Sequence, residues 1–322
     1  MHIFAKSGVL LSLLILLNGC GGSADQAPAA QHAAALQRAA VGQTAFDYKD
    51  AVQKVYLGYF GRPADAAGLA YFEDVFLRIG APTSVVELSR AYDTNAALKL
   101  TIDSFGTSQE SQDLYPGDNA SFIAAIYRNL FSREPDAGGQ AFWVNLLNTG
   151  QMTRARAAVS LMAGAQSTDI DVINKKSAAG AAFTAGLVSP LQKKGYDGLA
   201  AALAARSMLA NVTLATDLAA YQATIDSTIA ALATTAGNNS YAEVAQIMLN
   251  RCAGCHSANP SIPGFNPAPR GIKYDTSTQI HAAAAQIIAV AGNSERMPFG
   301  NLTEMTAAER ATLRSWLELG AP

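Results

Sequence analysis

One stretch of this chain is written twice, and the repeat constrains the fold more than any other feature. Tyr56, Phe60, Arg62, Asp65, Gly68, Ala70 and Phe72 recur, in the same order and spacing, as Tyr127, Phe131, Arg133, Asp136, Gly139, Ala141 and Trp143. Two copies are too few for a solenoid, which needs more repeats to bury a continuous core. They suffice for a duplicated helix–turn–helix unit. In each copy an aromatic-rich helix runs to Phe60 or Phe131 and a proline-containing turn follows. Asp65 or Asp136 then stands where a helix N-cap belongs. Leu69, Phe72, Phe76 and Ile79 return at helical spacing, as do Trp143 and Leu147, and Asn148-Thr149-Gly150 is a stop signal. A further helix is predicted from Thr153, carrying Val159 and Met162.

The turn Phe-x-Arg-x-x-Asp-x-x-Gly and the aromatic pair after it resemble the bacterial domain of unknown function 4214, over residues 46–187. The resemblance implies an exported or surface protein and no particular chemistry. Asp65 and Asp136 lack the alternating oxygen ligands of a calcium loop. Capping, with an ion pair to Arg62 or Arg133, is therefore preferred over a calcium reading, and the aromatic stripe reads as core. Residues 190–236 are alanine-rich with scattered Leu, Ile and Val, and predict two or three further helices. Gly237-Asn238-Asn239-Ser240 reads as a boundary. Abundant alanine and a charged fraction of only 15% favour helix throughout. The predicted fold is all-α: a helical domain over 46–236 and a smaller one over 240–322.

The N-terminus has the pattern of an export signal. Lys6 precedes the apolar run Val9 to Leu17, which is too short to span a bilayer as a mature helix. Leu17-Asn18-Gly19-Cys20 resembles the lipobox of bacterial lipoproteins. That resemblance implies a signal peptide over 1–19, lipidation of Cys20, and sorting to the outer membrane facing the periplasm, since Gly21 rather than Asp follows. Residues 20–45 are rich in Gly, Ala, Gln and Ser and predict a flexible tether, with His32 solvated.

The chain has three cysteines. With Cys20 going to lipid, Cys252 and Cys255 remain, in the run Cys252-Ala253-Gly254-Cys255-His256. This is C-x-x-C-H, the attachment signature of c-type haem. Each thiol can add to one vinyl group of the porphyrin, and His256 then supplies the proximal nitrogen to the iron. No cysteine is left for a disulfide, which an oxidising compartment would otherwise invite. A zinc reading of the same residues lacks a spaced fourth ligand, and adjacent Cys and His give poor tetrahedral geometry.

Residues 240–322 resemble a class I cytochrome c along their length. Val244, Ile247 and Met248 give the helix before the motif an apolar face. The Pro/Gly-rich run Pro260 to Gly271 cannot be helical and is predicted to wrap one haem edge as an extended loop. A helix is predicted over 276–291, with Ile280, Ile287 and Ile288 facing inward and Gly292-Asn293 ending it. Arg296-Met297-Pro298-Phe299-Gly300-Asn301 resembles the methionine loop of these cytochromes, which implies Met297 as the second axial ligand. Pro298 would hold Met297 in extended backbone, and a thioether suits haem iron and raises its reduction potential. Met305 and His281 compete for the role. Met305 lacks the following proline and sits just before a helix, and His281 reads as a helix-surface imidazole. The last helix opens on the capping box Thr306-Ala-Ala-Glu309, and its Leu313, Trp316 and Leu317 are expected to meet Val244 and Ile247. Arg270 and Arg296 flank the loops, as candidates either for haem propionates or for plain solvation.

With both axial positions filled, the expected role is that of an exported cytochrome lipoprotein. It would carry one covalent haem c, exchange single electrons with a redox partner protein, and anchor to the membrane by lipid. Two other readings stay open: a haem enzyme or gas or redox sensor with a labile Met297, and a surface interaction protein with an ancillary haem. No catalytic triad, P-loop or second haem motif is present in the sequence, and no catalytic residue is assigned. A net charge of −2 without a basic block argues against nucleic acid as a partner.

Overall fold

A computed structural model describes residues 42–322, so the export signal, Cys20, His32 and the tether through residue 41 lie outside the described residues. The fold is all-α, with no strand among the described residues. A 3-10 turn, Ala45–Tyr48, leads into the first repeat, α1 (Lys49–Phe60) and α2 (Ala66–Arg78). Helices α3 (Val85–Ala91), α4 (Ala96–Gly106) and α5 (Gln109–Leu114) connect it to the second repeat. That repeat is α6 (Asn119–Phe131) and α7 (Ala137–Asn148). Helix α8 (Arg154–Gly164) follows where a helix is expected from Thr153, which serves as its N-cap.

The two copies agree closely. Helix α1 ends on Gly61 at φ 63° and α6 on Ser132 at φ 53°, both left-handed. Asp65 Oδ1 accepts from the Gly68 amide at 2.7 Å, and Asp136 Oδ1 from that of Gly139 at 2.9 Å. The motif glycine has a packing reason: a Cβ at Gly68 would fall 2.1 Å from the Tyr56 hydroxyl, and one at Gly139 3.1 Å from that of Tyr127. The arginines also correspond, with Arg62 5.4 Å from the Tyr56 and Phe60 ring centres and Arg133 5.2 and 5.7 Å from those of Tyr127 and Phe131. Their main ionic partners differ from the expected capping aspartates. Arg62 forks onto Glu110 at 2.6 and 2.8 Å, and Arg133 onto Asp169 at 2.9 and 2.7 Å. Asp65 is left 3.9 Å from Arg62. The aspartates are committed to helix N-termini, so each ring-stacked guanidinium reaches past them to the next element.

Helices α9 (Thr168–Gly186), α10 (Pro190–Gly195) and α11 (Gly198–Ala210) complete this unit together with the first half of α12 (Leu218–Arg251). Helix α9 buries Lys176, whose ammonium donates to the carbonyls of Asn129 at 2.6 Å and Arg128 at 3.2 Å. These lie in the last turn of α6, where the helix dipole favours a cation. Burial nevertheless pushes the Lys176 amine down to about 8. The unfolded chain, with a lysine near 10.4, binds this proton more tightly than the folded one. The burial cost is therefore fully present below pH 8 and is relieved as pH rises towards the unfolded value. The stability of the wild-type protein relative to a Lys176→Met variant is expected to rise by roughly 2 kcal/mol between pH 7 and pH 9.5. Parallel urea unfolding curves at both pH values measure it. Tyrosine ionisation is common to both chains and cancels. A difference independent of pH would contradict the assignment.

The boundary expected at 237–240 does not interrupt the chain. Helix α12 runs straight through it for 34 residues, about 50 Å at 1.5 Å per residue. What changes there is the side-chain packing. Ile225 and Ile229 belong to the core of the N-terminal unit, whereas Val244, Ile247 and Met248 belong to a second core with Ile280, Ile287, Ile288, Met305, Leu313 and Trp316. No helix among the described residues is long and apolar enough to cross a membrane.

The second unit is built on the end of α12. The predicted 276–291 helix is three pieces: α13 (Ser277–Ala282), α14 (Ala284–Ile287) and a π turn, Ile288–Gly292. The wider π turn lets the adjacent Ile287 and Ile288 both reach the interior, each 2% exposed. The final helix, α15 (Ala307–Glu318), opens on the predicted Thr306–Glu309 capping box. It packs Leu313 and Trp316 towards α12, while Leu317 faces outward.

Candidate cofactor site

The Cys252–His256 run forms a tight turn because α12 stops at Cys252. The amides of Cys252 and Ala253 both return to the Met248 carbonyl, at 3.0 and 2.9 Å, and the His256 amide returns to Cys252 at 2.9 Å. Gly254 lets the following loop fold back onto the turn. Its carbonyl accepts from Ser261 and Ile262, both at 3.0 Å, and a Cβ there would meet Ile262 Cδ1 at 3.0 Å. The loop is pinned again further on, where the Asp275 carboxylate accepts from the Ala258 amide and the His256 carbonyl accepts from Tyr274 at 2.9 Å.

These constraints set the imidazole. His256 Nδ1 lies 3.2 Å from the Ile272 carbonyl. A carbonyl can only accept, so in the neutral ring Nδ1 carries the proton and Nε2 keeps its lone pair. A metal-ligating histidine is usually oriented in this way by a partner on its other nitrogen. Burial pushes the Cys252 thiol up to about 12 and raises that of Cys255 as well. Both are therefore neutral thiols near pH 7, not thiolates.

Met297, more than forty residues away in sequence, lines the same cavity as Cys252, Cys255 and His256. The cavity holds about 200 Å³, and its remaining wall includes Phe265, Tyr274, Ile287, Val290, Ala291 and Phe299. Among the described residues Arg251 is the one charged residue on this wall, and it is engaged by Glu309 at 2.9 Å and by the Thr303 carbonyl. The chemistry of the donor set suits a haem. Two thiols, an imidazole and a thioether converge on an apolar wall that has no carboxylate among the described residues, and soft and borderline donors are those that ligate or attach it. Among the described residues no group of three or more His, Cys, Asp or Glu could hold a metal ion.

The rival ligands lie elsewhere. Met305 is buried in the second core, where its backbone exchanges hydrogen bonds with the Asn301 side chain. His281 stacks on Tyr241 with ring centres 4.6 Å apart, and its nitrogens face the carbonyls of Ser277 at 2.7 Å and Pro322 at 3.2 Å. It is thus a packed ring of the core's edge, more enclosed than a helix-surface imidazole. Arg270 and Arg296 are both exposed.

Sequence reasoning passed over Arg310. It is 7% exposed, and its Nη1 approaches the carbonyls of Ala291 at 2.6 Å, Met297 at 2.8 Å and Ser294 at 3.0 Å. A signal was available: Arg310 stands three residues before Leu313, in register with the apolar face of α15.

A larger cavity, about 980 Å³, lies in the N-terminal unit. On its wall Glu110 is shared between Arg62 and Arg206, each at 2.6 Å, and Tyr196 donates to the Pro63 carbonyl at 2.7 Å. These charges partner one another and tie the first repeat to α11.

A family model described as a domain of unknown function, DUF4214, matches residues 102–168. The matched stretch runs from the end of α4 through the second repeat and α8, so it is narrower than the 46–187 expected. No match was found among curated proteins or among solved structures.

Proposed function

We propose that the C-terminal unit is a c-type cytochrome that relays single electrons in the bacterial cell envelope. The observation that carries this reading is the convergence of Cys252, Cys255, His256 and Met297 on one apolar cavity, with the His256 ring oriented by Ile272. Cys252 and Cys255 would attach one haem, and His256 Nε2 and the Met297 thioether would hold its iron. The haem supplies a one-electron couple, its potential raised by thioether ligation. The chain's part would be to hold the iron through His256 and Met297 and to keep water away with the apolar wall of Phe265, Ile287 and Val290. The expected partner is a redox protein, and the lipobox-like run ending at Cys20 supports a lipid anchor to the outer membrane.

The test is expression of the full chain in a periplasm equipped for haem attachment. The purified protein is expected to be one haem heavier by mass spectrometry and to show the ferric absorption band of thioether ligation. Its ferrous form should react slowly with carbon monoxide, and Met297→Ala should accelerate that reaction at least tenfold. Rapid carbon monoxide binding by the wild type would favour a sensor or enzyme, and absence of covalent haem would remove the proposal.

A further inference from the structure

We infer that Arg310 is the positioning residue that fixes Met297 in the cavity, acting through backbone carbonyls and touching neither the iron nor the thioether. The inference rests on the cofactor reading above.

The π turn Ile288–Gly292 ends with carbonyls that lack intrahelical partners, as every helix end does. Three of them are taken by the segment and helix that follow. Val290 accepts from the Met297 amide at 2.9 Å, Ala291 from Arg310 at 2.6 Å and Gly292 from Arg314 at 2.6 Å. Arg310 alone goes further. The same Nη1 that meets Ala291 also meets the carbonyls of Ser294 and Met297, so one buried donor spans both ends of the loop. Met297 is thereby held through its amide by Val290 and through its carbonyl by Arg310. Among the described residues no carboxylate lies within salt-bridge distance of this guanidinium. A buried cation is normally paired with an anion, and the partners of this one among the described residues are carbonyl dipoles at a helix C-terminus. The arrangement costs stability unless the loop stays closed around it. Its consequence is a methionine whose backbone is fixed on both sides before any ligand bond forms.

The experiment uses the full haem-loaded chain with Arg310→Lys, Arg310→Gln and Arg314→Gln. Arg314 is the control, since it caps the same π turn from an exposed position and does not reach Met297. The readouts are the thioether–iron absorption band and the affinity of the ferric protein for added imidazole, taken at 25 °C with folding verified by circular dichroism. The Arg310→Lys protein keeps the charge but ends one bond short of the Nη1 position, so its ammonium cannot meet all three carbonyls. It is expected to remain folded and to bind imidazole at least tenfold more tightly than the wild type, with a weakened band. Arg310→Gln should go further in the same direction, and Arg314→Gln should match the wild type. If Arg310→Gln does not fold, Arg310→Lys decides. Folded Arg310 variants with wild-type band and imidazole affinity overturn this inference and leave the cofactor reading standing. A wild-type protein without thioether ligation overturns both.

Discussion

A Cys252→Ala/Cys255→Ala chain is expected to carry no covalent haem while its N-terminal unit stays folded. The first effect should be complete because Cys252 and Cys255 are the two attachment points the proposal gives the haem, and none of the other described residues is a cysteine. The second follows from the separation of the cores. The N-terminal core reaches along α12 as far as Leu232, and Cys252 packs against the second core. Each truncation removes a small, partly buried thiol, so the direct cost falls on the C-terminal unit. Mass spectrometry reads the haem, and calorimetry reads the melting of the N-terminal unit, expected to move by no more than about 2 °C for a change of about 0.5 kcal/mol. Loss of that transition would mean that α12 couples the two units energetically and that the haem stabilises both.

Much of this architecture was legible from local chemistry. The aspartate caps, the repeat and the Thr306–Glu309 box are decided within a few residues, and the structure has them where the sequence puts them. What was not legible depended on distant contacts. Gly237-Asn238-Asn239-Ser240 looks like a turn, yet the glycine there makes room for another segment. A Cβ at Gly237 would lie 3.1 Å from Pro322 Cβ and 3.7 Å from Leu191 Cδ2. Tertiary packing thus overrides a helix penalty of about 1 kcal/mol for glycine. The partners of Arg62 and Arg133 were missed for a similar reason, since Glu110 and Asp169 lie far from them in sequence. In the second unit the motif pointed to Cys252, Cys255 and His256 directly, but the clamp at Arg310 is a long-range contact of a residue type that is rarely buried. Charged residues on an apolar helix face are therefore the positions where local reading most needs a structure.

Phe105→Ala is expected to be the most damaging single substitution in the N-terminal unit. The ring is 2% exposed and lies among four others, with centre-to-centre distances of 5.6 Å to Tyr56, 5.8 Å to Tyr59, 5.6 Å to Phe60 and 4.3 Å to Phe72. Those four rings come from both helices of the first repeat, so α4 inserts Phe105 as the wedge between them. Truncating a buried phenylalanine typically costs about 3–5 kcal/mol, part of it for a cavity that stiff aromatic neighbours cannot collapse to fill. For a unit of this size the melting temperature should fall by roughly 6–20 °C. Phe142→Ala, at a ring 57% exposed in the second repeat, should change stability by less than about 0.5 kcal/mol. Scanning calorimetry of both variants measures the contrast. Equal and small effects would mean that the aromatic cluster is redundant, and the first repeat would then have to be held chiefly by its caps and by Arg62. Haem content offers a second reading of the Phe105→Ala protein. It should be unchanged below the new melting temperature, because none of the described residues lining the Cys252–His256 cavity belongs to this cluster. A loss of haem at temperatures where the bundle is still folded would show instead that α12 transmits the packing of one core to the other.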